Sequence, residues 1–159
     1  KGLMGSIGLK LGEDPTDLRY GKVYIYTDAD PDGNSIAAQL INFFAKYWPE
    51  LFKIGMIYKV MTPLVVAKKG KEIMPFYTAD SYLKWEAKTK MTGWTVEYKK
   101  GLAALEDAEY REIIHNPNLV QLTNDKQAKQ SLEDWFGNDS APRKERLLLL
   151  YLKSHNRIF

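Results

Sequence analysis

The sequence of 159 residues contains no cysteine. This absence excludes disulfides, thiolate metal sites and a cysteine nucleophile, and it fits a reducing compartment. The sequence also has no run of eighteen apolar residues and no charged-then-apolar N-terminal signal pattern, so neither membrane insertion nor secretion is indicated. An excess of one charge is lacking too. The 23 basic and 20 acidic residues give a net charge of +3, which does not by itself indicate nucleic-acid binding.

Apolar residues make up 45% of the sequence, enough for one sizeable core with a small appendage. Helix and strand signals alternate, which predicts an α/β protein. Strands are predicted at 56–61, 64–67, 73–77, 94–98 and 119–122, and helices at 36–47, from 78, at 105–115, from 124 to 136 and from 140. The glycine-rich residues 1–12 predict a short irregular helix or packed loop. Lys1 does not resemble a translation start, which suggests that the chain begins inside a longer polypeptide or assembly.

The most informative stretch joins a strand to an acidic turn. The β-branched and aromatic run from Val23 to Thr27 predicts a strand, which ends at Asp28, Asp30 and Asp32. Carboxylates at every second position repel one another unless a cation, a positive partner or solvent compensates them. Oxygen ligands without a nearby imidazole or thiolate favour Mg²⁺ or Ca²⁺ over zinc or copper. The helix that follows, 36–47, is expected to have Asn34 or Ser35 as its cap. Its apolar residues at helical spacing should face the sheet, and they are Ile36, Leu40, Ile41, Phe43, Phe44 and Tyr47.

Two other interpretations of the acidic turn stay open. Aspartates with Pro31 and Gly33 are common in solvated turns that bind nothing. The spacing from Asp28 to Gly33 also matches the first half of an EF-hand calcium loop. However, the twelfth position is Gln39, which cannot give a bidentate carboxylate, and a strand precedes the turn where an EF-hand needs a helix.

Two further segments have a distinctive composition, one rich in lysine and the other in leucine. Lys68, Lys69 and Lys71 lie at a predicted hairpin turn, where they are interpreted as solubility residues, with phosphate contact as the alternative. The leucine run 147–150 in the last predicted helix is interpreted as core or as an interface with another chain.

Several blocks of this sequence together resemble the TOPRIM segment of type IIA DNA topoisomerases. They are Leu18–Gly21, Tyr26–Gly33, Leu40–Phe44, Thr62-Pro63, Phe76-Tyr77, Tyr98–Leu102 and Arg143–Glu145. Their order and approximate spacing match over nearly the whole chain. The likeness is greatest to the large-subunit TOPRIM part of the topoisomerases of T-even-like bacteriophages, in which the enzyme is split among separate chains.

The resemblance implies a TOPRIM fold, which is a compact α/β domain with a mainly parallel sheet flanked by helices, here with a helical C-terminal extension. The implied organisation is a lead-in segment at 1–22, a TOPRIM domain at 23–122 and the extension at 123–159. It also implies a cytoplasmic enzyme, in the host cell cytoplasm if the chain is phage-encoded.

The resemblance implies Mg²⁺-dependent cleavage and religation of double-stranded DNA. Asp28 and Asp30 are the implied catalytic residues, and Asp28, Asp30 and Asp32 the implied metal ligands. A tyrosine from another chain or domain would attack the DNA, and ATP would bind to a different region of the holoenzyme. The implied partners are therefore double-stranded DNA, an ATPase region and a tyrosine-bearing breakage-reunion subunit, with two copies of this chain per holoenzyme.

The sequence departs from the family pattern in two places that bear on the site. The family's catalytic glutamate is expected upstream of Lys1, and Ala103 replaces a family glycine, which argues against a close backbone approach at that loop. Lys100, Arg143 and Lys144 are candidate DNA-backbone or inter-domain contacts, with surface salt bridges as the alternative.

Two other functions compete with the topoisomerase interpretation. They are a TOPRIM nuclease or primase-like domain and a non-catalytic assembly module.

Overall fold

The computed structural model describes residues 2–99 and 101–155, with side chains described as far as residue 150. The elements in chain order are α1 (Gly2–Ile7), β1 (Val23–Ile25), α2 (Pro31–Tyr47), α3 (Glu50–Lys53), β2 (Ile57–Val60), β3 (Val65–Lys69), β4 (Glu72–Phe76), α4 (Ala79–Glu86), β5 (Thr95–Tyr98), a 3-10 turn (Leu102–Ala104), α5 (Asp107–His115), β6 (Leu119–Gln121), α6 (Lys126–Phe136) and α7 (Ala141–His155). All the predicted strands and helices are present, with shifted ends. Within the same described residues, no helix is both long and apolar enough to cross a membrane.

The strands form two three-stranded sheets, with the orders β1-β2-β6 and β4-β3-β5. The α/β prediction is confirmed, but the prediction of a mainly parallel sheet is wrong for the described residues. Only β1 and β2 pair in parallel, with Val23 opposite Ile57. β6 pairs antiparallel with β2, and β3 pairs antiparallel with both β4 and β5. A tight turn at Gly70, whose φ is +60°, joins β3 to β4, and so short a connection permits only antiparallel pairing.

The largest buried cluster lies between the first sheet and α1, α2 and α3. Its fully buried members include Phe44, Trp48 and Leu51, which are at most 1% exposed. The Trp48 backbone N–H closes α2 on the Phe44 carbonyl, and its indole Nε1 donates to the Lys10 carbonyl at 3.2 Å. Because the indole N–H is satisfied in this way, Trp48 can be buried while holding the N-terminal segment against the sheet.

Helix α2 begins earlier than the sequence predicted. The expected caps were Asn34 or Ser35, but Asp30 is the N-cap and Pro31 is the first helical residue. Proline suits that position because its φ is already helical and the missing N–H has no partner in the first turn. Of the apolar residues expected to face the sheet, Phe44 is buried, but the prediction is wrong for Ile36 and Tyr47, which are 53% and 45% exposed.

Two smaller clusters are found among the described residues. Val65, Ala67, Phe76 and Tyr82 are buried between the second sheet and α4. Val60, Leu105 and Ile113 are buried where β2 meets α5. The leucine run 147–150 on α7 is 50% to 58% exposed, so the prediction that it is core is wrong, whereas its role as an interface stays a prediction.

Candidate functional site

Asp28 lies three residues beyond the end of β1, and its half-buried carboxylate is held by a distant part of the chain. The Leu102 N–H donates to Asp28 Oδ1 at 2.6 Å, across a sequence separation of 74 residues. Hydrogen bonds to a charged acceptor are shorter and stronger than those between neutral groups. The bond therefore fixes Asp28 Oδ1, while the second carboxylate oxygen, Oδ2, takes no part in it.

Gly101 makes this approach possible because it has no side chain. A Cβ at this position would lie 2.8 Å from Asp28 Cγ and 2.8 Å from Oδ1. The φ of Gly101 is −172°, which any residue adopts, so the glycine is required for space and not for its backbone conformation. The argument from Ala103 against a close approach is wrong for this loop, because Gly101 and Leu102 make the approach.

The backbone of the acidic turn is also held closely. A Cβ on Gly33 would lie 2.2 Å from the Asp28 carbonyl oxygen, so the first turn of α2 packs directly on residue 28. On the other side, Thr62 Oγ1 donates to the Thr27 carbonyl at 3.2 Å, and both threonines are buried. The position of Asp28 thus depends on contacts from α2, from the segment after β2 and from the 3-10 turn.

Asp30 and Asp32 stand at the N-terminus of α2. Asp30 Oδ1 accepts a hydrogen bond from the Gly33 N–H at 2.8 Å, which caps the helix. Asp32 lies in the first turn and is exposed. Carboxylates are favourable at this end of a helix because free N–H groups and the helix dipole are positive there. The fold thereby compensates part of the repulsion among the three aspartates.

The donor chemistry fits Mg²⁺ only in part. Asp28 and Asp30 are half-buried, and among the described residues no lysine or arginine forms an ion pair with them. Mg²⁺ suits such a pair because it keeps several waters and takes one or two carboxylates. However, no three His, Cys, Asp or Glu side chains within residues 2–99 and 101–155 are grouped to hold a metal. The metal roles of the three aspartates therefore stay predictions.

An ionic cluster that the sequence reasoning missed lies behind the 3-10 turn. Its members are Lys68, Glu97, Lys99, Glu106 and Glu109, and Lys99 and Glu109 are buried. Two signals pointed to it. Glu97 and Lys99 are two residues apart at the end of a strand, which places them on one face, and Glu106 and Glu109 have capping-box spacing. The solubility role predicted for Lys68 is wrong, since its ammonium pairs with three glutamates.

Charge pairing within this cluster outweighs the cost of burial. Burial lowers the pKa of Lys99, but the hydrogen bonds and charges of Glu97 and Glu109 raise it by more, so the net pKa lies above its ordinary value. Burial likewise raises the pKa of Glu109, but the hydrogen bonds from the Glu106 N–H and the two lysines lower it by more, so the net pKa lies below its ordinary value. Lys99 and Glu109 therefore both stay charged near neutral pH.

The candidate DNA contacts differ in their surroundings. Lys100 lies outside the described residues. Arg143 is half-buried, and its Nη1 donates to the Trp135 and Gly137 carbonyls at 3.1 and 2.8 Å, which satisfies the C-terminus of α6. Lys144 is exposed. Contact with DNA stays a prediction for all three residues.

Comparisons with known proteins agree with the resemblance. The family described as the C-terminal associated domain of TOPRIM matches residues 60–155. The DNA topoisomerase small subunit of Enterobacteria phage T4 is 40% identical over 131 residues, which cover 82% of this chain and 80% of that protein. DNA topoisomerase 2 of Plasmodium falciparum is 39% identical over 101 residues, which cover 63% of this chain and 7% of that protein.

A solved structure supports the fold. The crystal structure of the Plasmodium falciparum topoisomerase II DNA-binding, cleavage and re-ligation domain matches with a TM-score of 0.76 and 30% identity, covering 91% of this chain and 21% of that one. This chain thus spans a small part of the eukaryotic enzyme but most of the phage protein. That phage protein is a small subunit, whereas the sequence resemblance suggested a large one.

Proposed function

Because this chain belongs to the type II DNA topoisomerases, matching them through their TOPRIM region, we propose that it supplies the Mg²⁺-binding carboxylates for cleavage and religation of double-stranded DNA. One observation carries the proposal: Asp28 and Asp30 are each half-buried at the junction of β1 and α2, and no lysine or arginine of the described residues forms an ion pair with either. The topoisomerase II DNA-binding, cleavage and re-ligation domain of Plasmodium falciparum, which is 30% identical, supports it.

Each aspartate has a distinct role in the proposal. Asp28 and Asp30 hold the ion directly, and Asp32, which is exposed, assists through water. A bound Mg²⁺ supplies positive charge that neutralises the scissile phosphate and the leaving oxygen. The Leu102 N–H orients Asp28, and the Gly33 N–H orients Asp30, so the carboxylates are set in place before DNA binds.

The proposal assigns the remaining steps of the reaction to other chains or regions. A tyrosine on a breakage-reunion subunit forms the DNA link, an ATPase region binds ATP, and two copies of this chain act in one holoenzyme. The phage relative supports this division, because it is named as a subunit and this chain spans 80% of it.

Charge-removing substitutions in the reconstituted enzyme test the metal role. Asp28→Asn keeps an acceptor for Leu102, and Asp30→Asn keeps a good helix cap. Each variant should fold normally and lose Mg²⁺-dependent cleavage by at least about 100-fold. Replacing a residue that only hydrogen-bonds to a metal ligand already lowers metal affinity or activity by about 10- to 100-fold. Asp125→Asn is the matched control, because Asp125 caps α6 through the Ala128 N–H at 2.8 Å and is exposed.

Three readouts separate the candidate functions. Cleavage that survives within a few-fold in both variants would rule out the metal role. Denaturant trapping should recover a tyrosyl-DNA adduct, whereas a nuclease or primase-like domain would leave none. Titration of Mg²⁺ should shift the amide signals of residues 28–33, and unchanged signals would favour a non-catalytic assembly module.

A further inference from the structure

The 3-10 turn that holds Asp28 is itself held from behind by Lys99. At one end of the turn, the Leu102 N–H donates to Asp28 Oδ1 at 2.6 Å. At the other end, the Ala104 carbonyl accepts a hydrogen bond from Lys99 Nζ at 3.1 Å. The turn is only three residues long, so a displacement at Ala104 moves Leu102 as well.

Lys99 is fixed because each of its three ammonium donors has a partner. Nζ lies 2.6 Å from Glu97 Oε2, 2.9 Å from Glu109 Oε2 and 3.1 Å from the Ala104 carbonyl. A lysine ammonium has three donors and no acceptor, so this set is complete. The side chain is 4% exposed, which leaves little room for another rotamer.

Glu109 connects Lys99 to two further elements. Its Oε2 accepts a hydrogen bond from the Glu106 N–H at 2.7 Å, which fixes the start of α5. Its Oε1 lies 3.1 Å from Lys68 Nζ on β3. The cluster therefore joins β3, the end of β5 and α5 directly behind the turn.

We propose that Lys99 and Glu109 are positioning residues for Asp28. They hold the 3-10 turn in the one arrangement that presents the Leu102 N–H to the Asp28 carboxylate. The Lys99–Ala104 and Leu102–Asp28 hydrogen bonds do not depend on any metal, whereas the consequence for Mg²⁺ rests on the proposed function.

Two variants test the geometric part in the full chain without any metal. Lys99→Met keeps most of the side-chain volume but cannot donate to Ala104. The double variant K99M/E109Q also removes the carboxylate that Lys99 neutralised, so its fold tolerates the loss better. Lys84→Met is the matched control, since Lys84 pairs with Asp80 on the surface of α4 with its side chain 71% exposed.

The signature to measure is the Leu102 amide proton, together with the Asp28 carboxyl carbon, in NMR spectra of the full chain. A short bond to a carboxylate shifts that amide proton downfield, so both signals should move towards ordinary values in the two variants and stay in place in K84M. In the reconstituted holoenzyme, the Mg²⁺ concentration for half-maximal cleavage should rise about 10- to 100-fold. This is the usual effect of replacing a residue that orients a metal ligand without touching the metal.

The outcomes separate this inference from the proposed function. Unchanged Leu102 and Asp28 signals in a folded variant would overturn the positioning role, even if the enzyme needs Mg²⁺. Shifted signals in a chain that shows no Mg²⁺ response would confirm positioning and contradict the metal role. Loss of the fold in both variants would assign the cluster to stability alone and also overturn the inference.

Discussion

At the scale of single residues, the close approach of Gly101 to the Asp28 carboxylate gives the sharpest test of how Asp28 is positioned. Gly101→Ala would place a Cβ 2.8 Å from the Asp28 carboxylate, which is the end of a side chain and can move. The extended backbone at Gly101 accepts alanine, so we expect nearly unchanged stability but a displaced carboxylate. Under the proposed metal role, a displacement of about 1 Å should lower the rate of Mg²⁺-dependent cleavage by the holoenzyme on the order of 100-fold, which a cleavage assay measures.

The control for this substitution is Gly21→Ala. Gly21 precedes β1, and a Cβ there would meet nothing within 4 Å. Under the proposed function, the holoenzyme reconstituted with this control should therefore cleave DNA like the wild type. Equal activity of G101A and G21A would contradict the dependence of cleavage on the position of Asp28.

The sequence located the aspartates but not the residues that orient them. Asp28 and Asp30 could be found because strand, carboxylate and turn signals are adjacent in sequence. Leu102 could not be assigned as the partner of Asp28, because a backbone N–H carries no sequence signal and lies 74 residues away. Lys99 was missed because a charged residue beside a turn reads as exposed, although three partners allow it to be buried.

At the scale of elements, the start of α2 determines the geometry of the acidic turn. Gly33→Ala would place a Cβ 2.2 Å from the Asp28 carbonyl oxygen, which is backbone and cannot move aside. We expect the free energy of unfolding to fall by about 3 kcal/mol, the upper end for overpacked sites. Urea unfolding followed by circular dichroism measures it.

The matched helical control is Gly5→Ala in α1, where a Cβ would meet nothing within 4 Å. Alanine in a helix is more favourable than glycine by about 0.5 to 1 kcal/mol, so this variant should be slightly more stable than the wild type. If G33A were as stable as G5A, the close packing of α2 on residue 28 would be wrong.

The ionic cluster between β3, β5 and α5 makes stability depend on acid pH. The hydrogen bond from Lys99 lowers the pKa of Glu97, and the pKa of Glu109 also lies below its ordinary 4.5. Below that pH the unfolded chain binds more protons than the folded one. The stabilisation is therefore fully present above 4.5 and is lost as the pH falls through the folded values.

Urea unfolding at a series of pH values between about 6 and 3 measures this loss. The wild type should lose more stability over this range than K99M/E109Q, in which Glu109 no longer titrates and Glu97 has lost its Lys99 partner. Parallel pH profiles of the two proteins would show that the cluster does not contribute.

At the scale of the whole molecule, the sequence predicted which elements form but not how the strands pair. Periodicity identifies a strand and its buried face, whereas orientation depends on which strand lies beside it. The crossover through α2 and α3 makes β1 and β2 parallel, while the Gly70 turn makes β3 and β4 antiparallel. The aspartates follow β1, which belongs to the parallel pair, so the error in sheet type leaves the candidate site intact.

Chelation tests whether the fold as a whole depends on an ion. The protein itself supplies N–H donors to Asp28 and Asp30 and packs Gly33 on residue 28. We therefore expect EDTA to change the melting temperature by less than about 2 °C, which for a domain of this size corresponds to under about 1 kcal/mol. A large drop in calorimetry would show that the acidic turn needs a cation to fold.

The amide groups of Gly33 and Leu102 give the acidic turn a permanent counter-charge, and this has a consequence for turnover. Under the proposed metal role, a turn whose shape does not depend on the ion would release and reload Mg²⁺ in every catalytic round without any rebuilding of the scaffold. Exchanging magnesium for manganese or calcium should then change the speed of the chemistry while leaving the protein's architecture as it was.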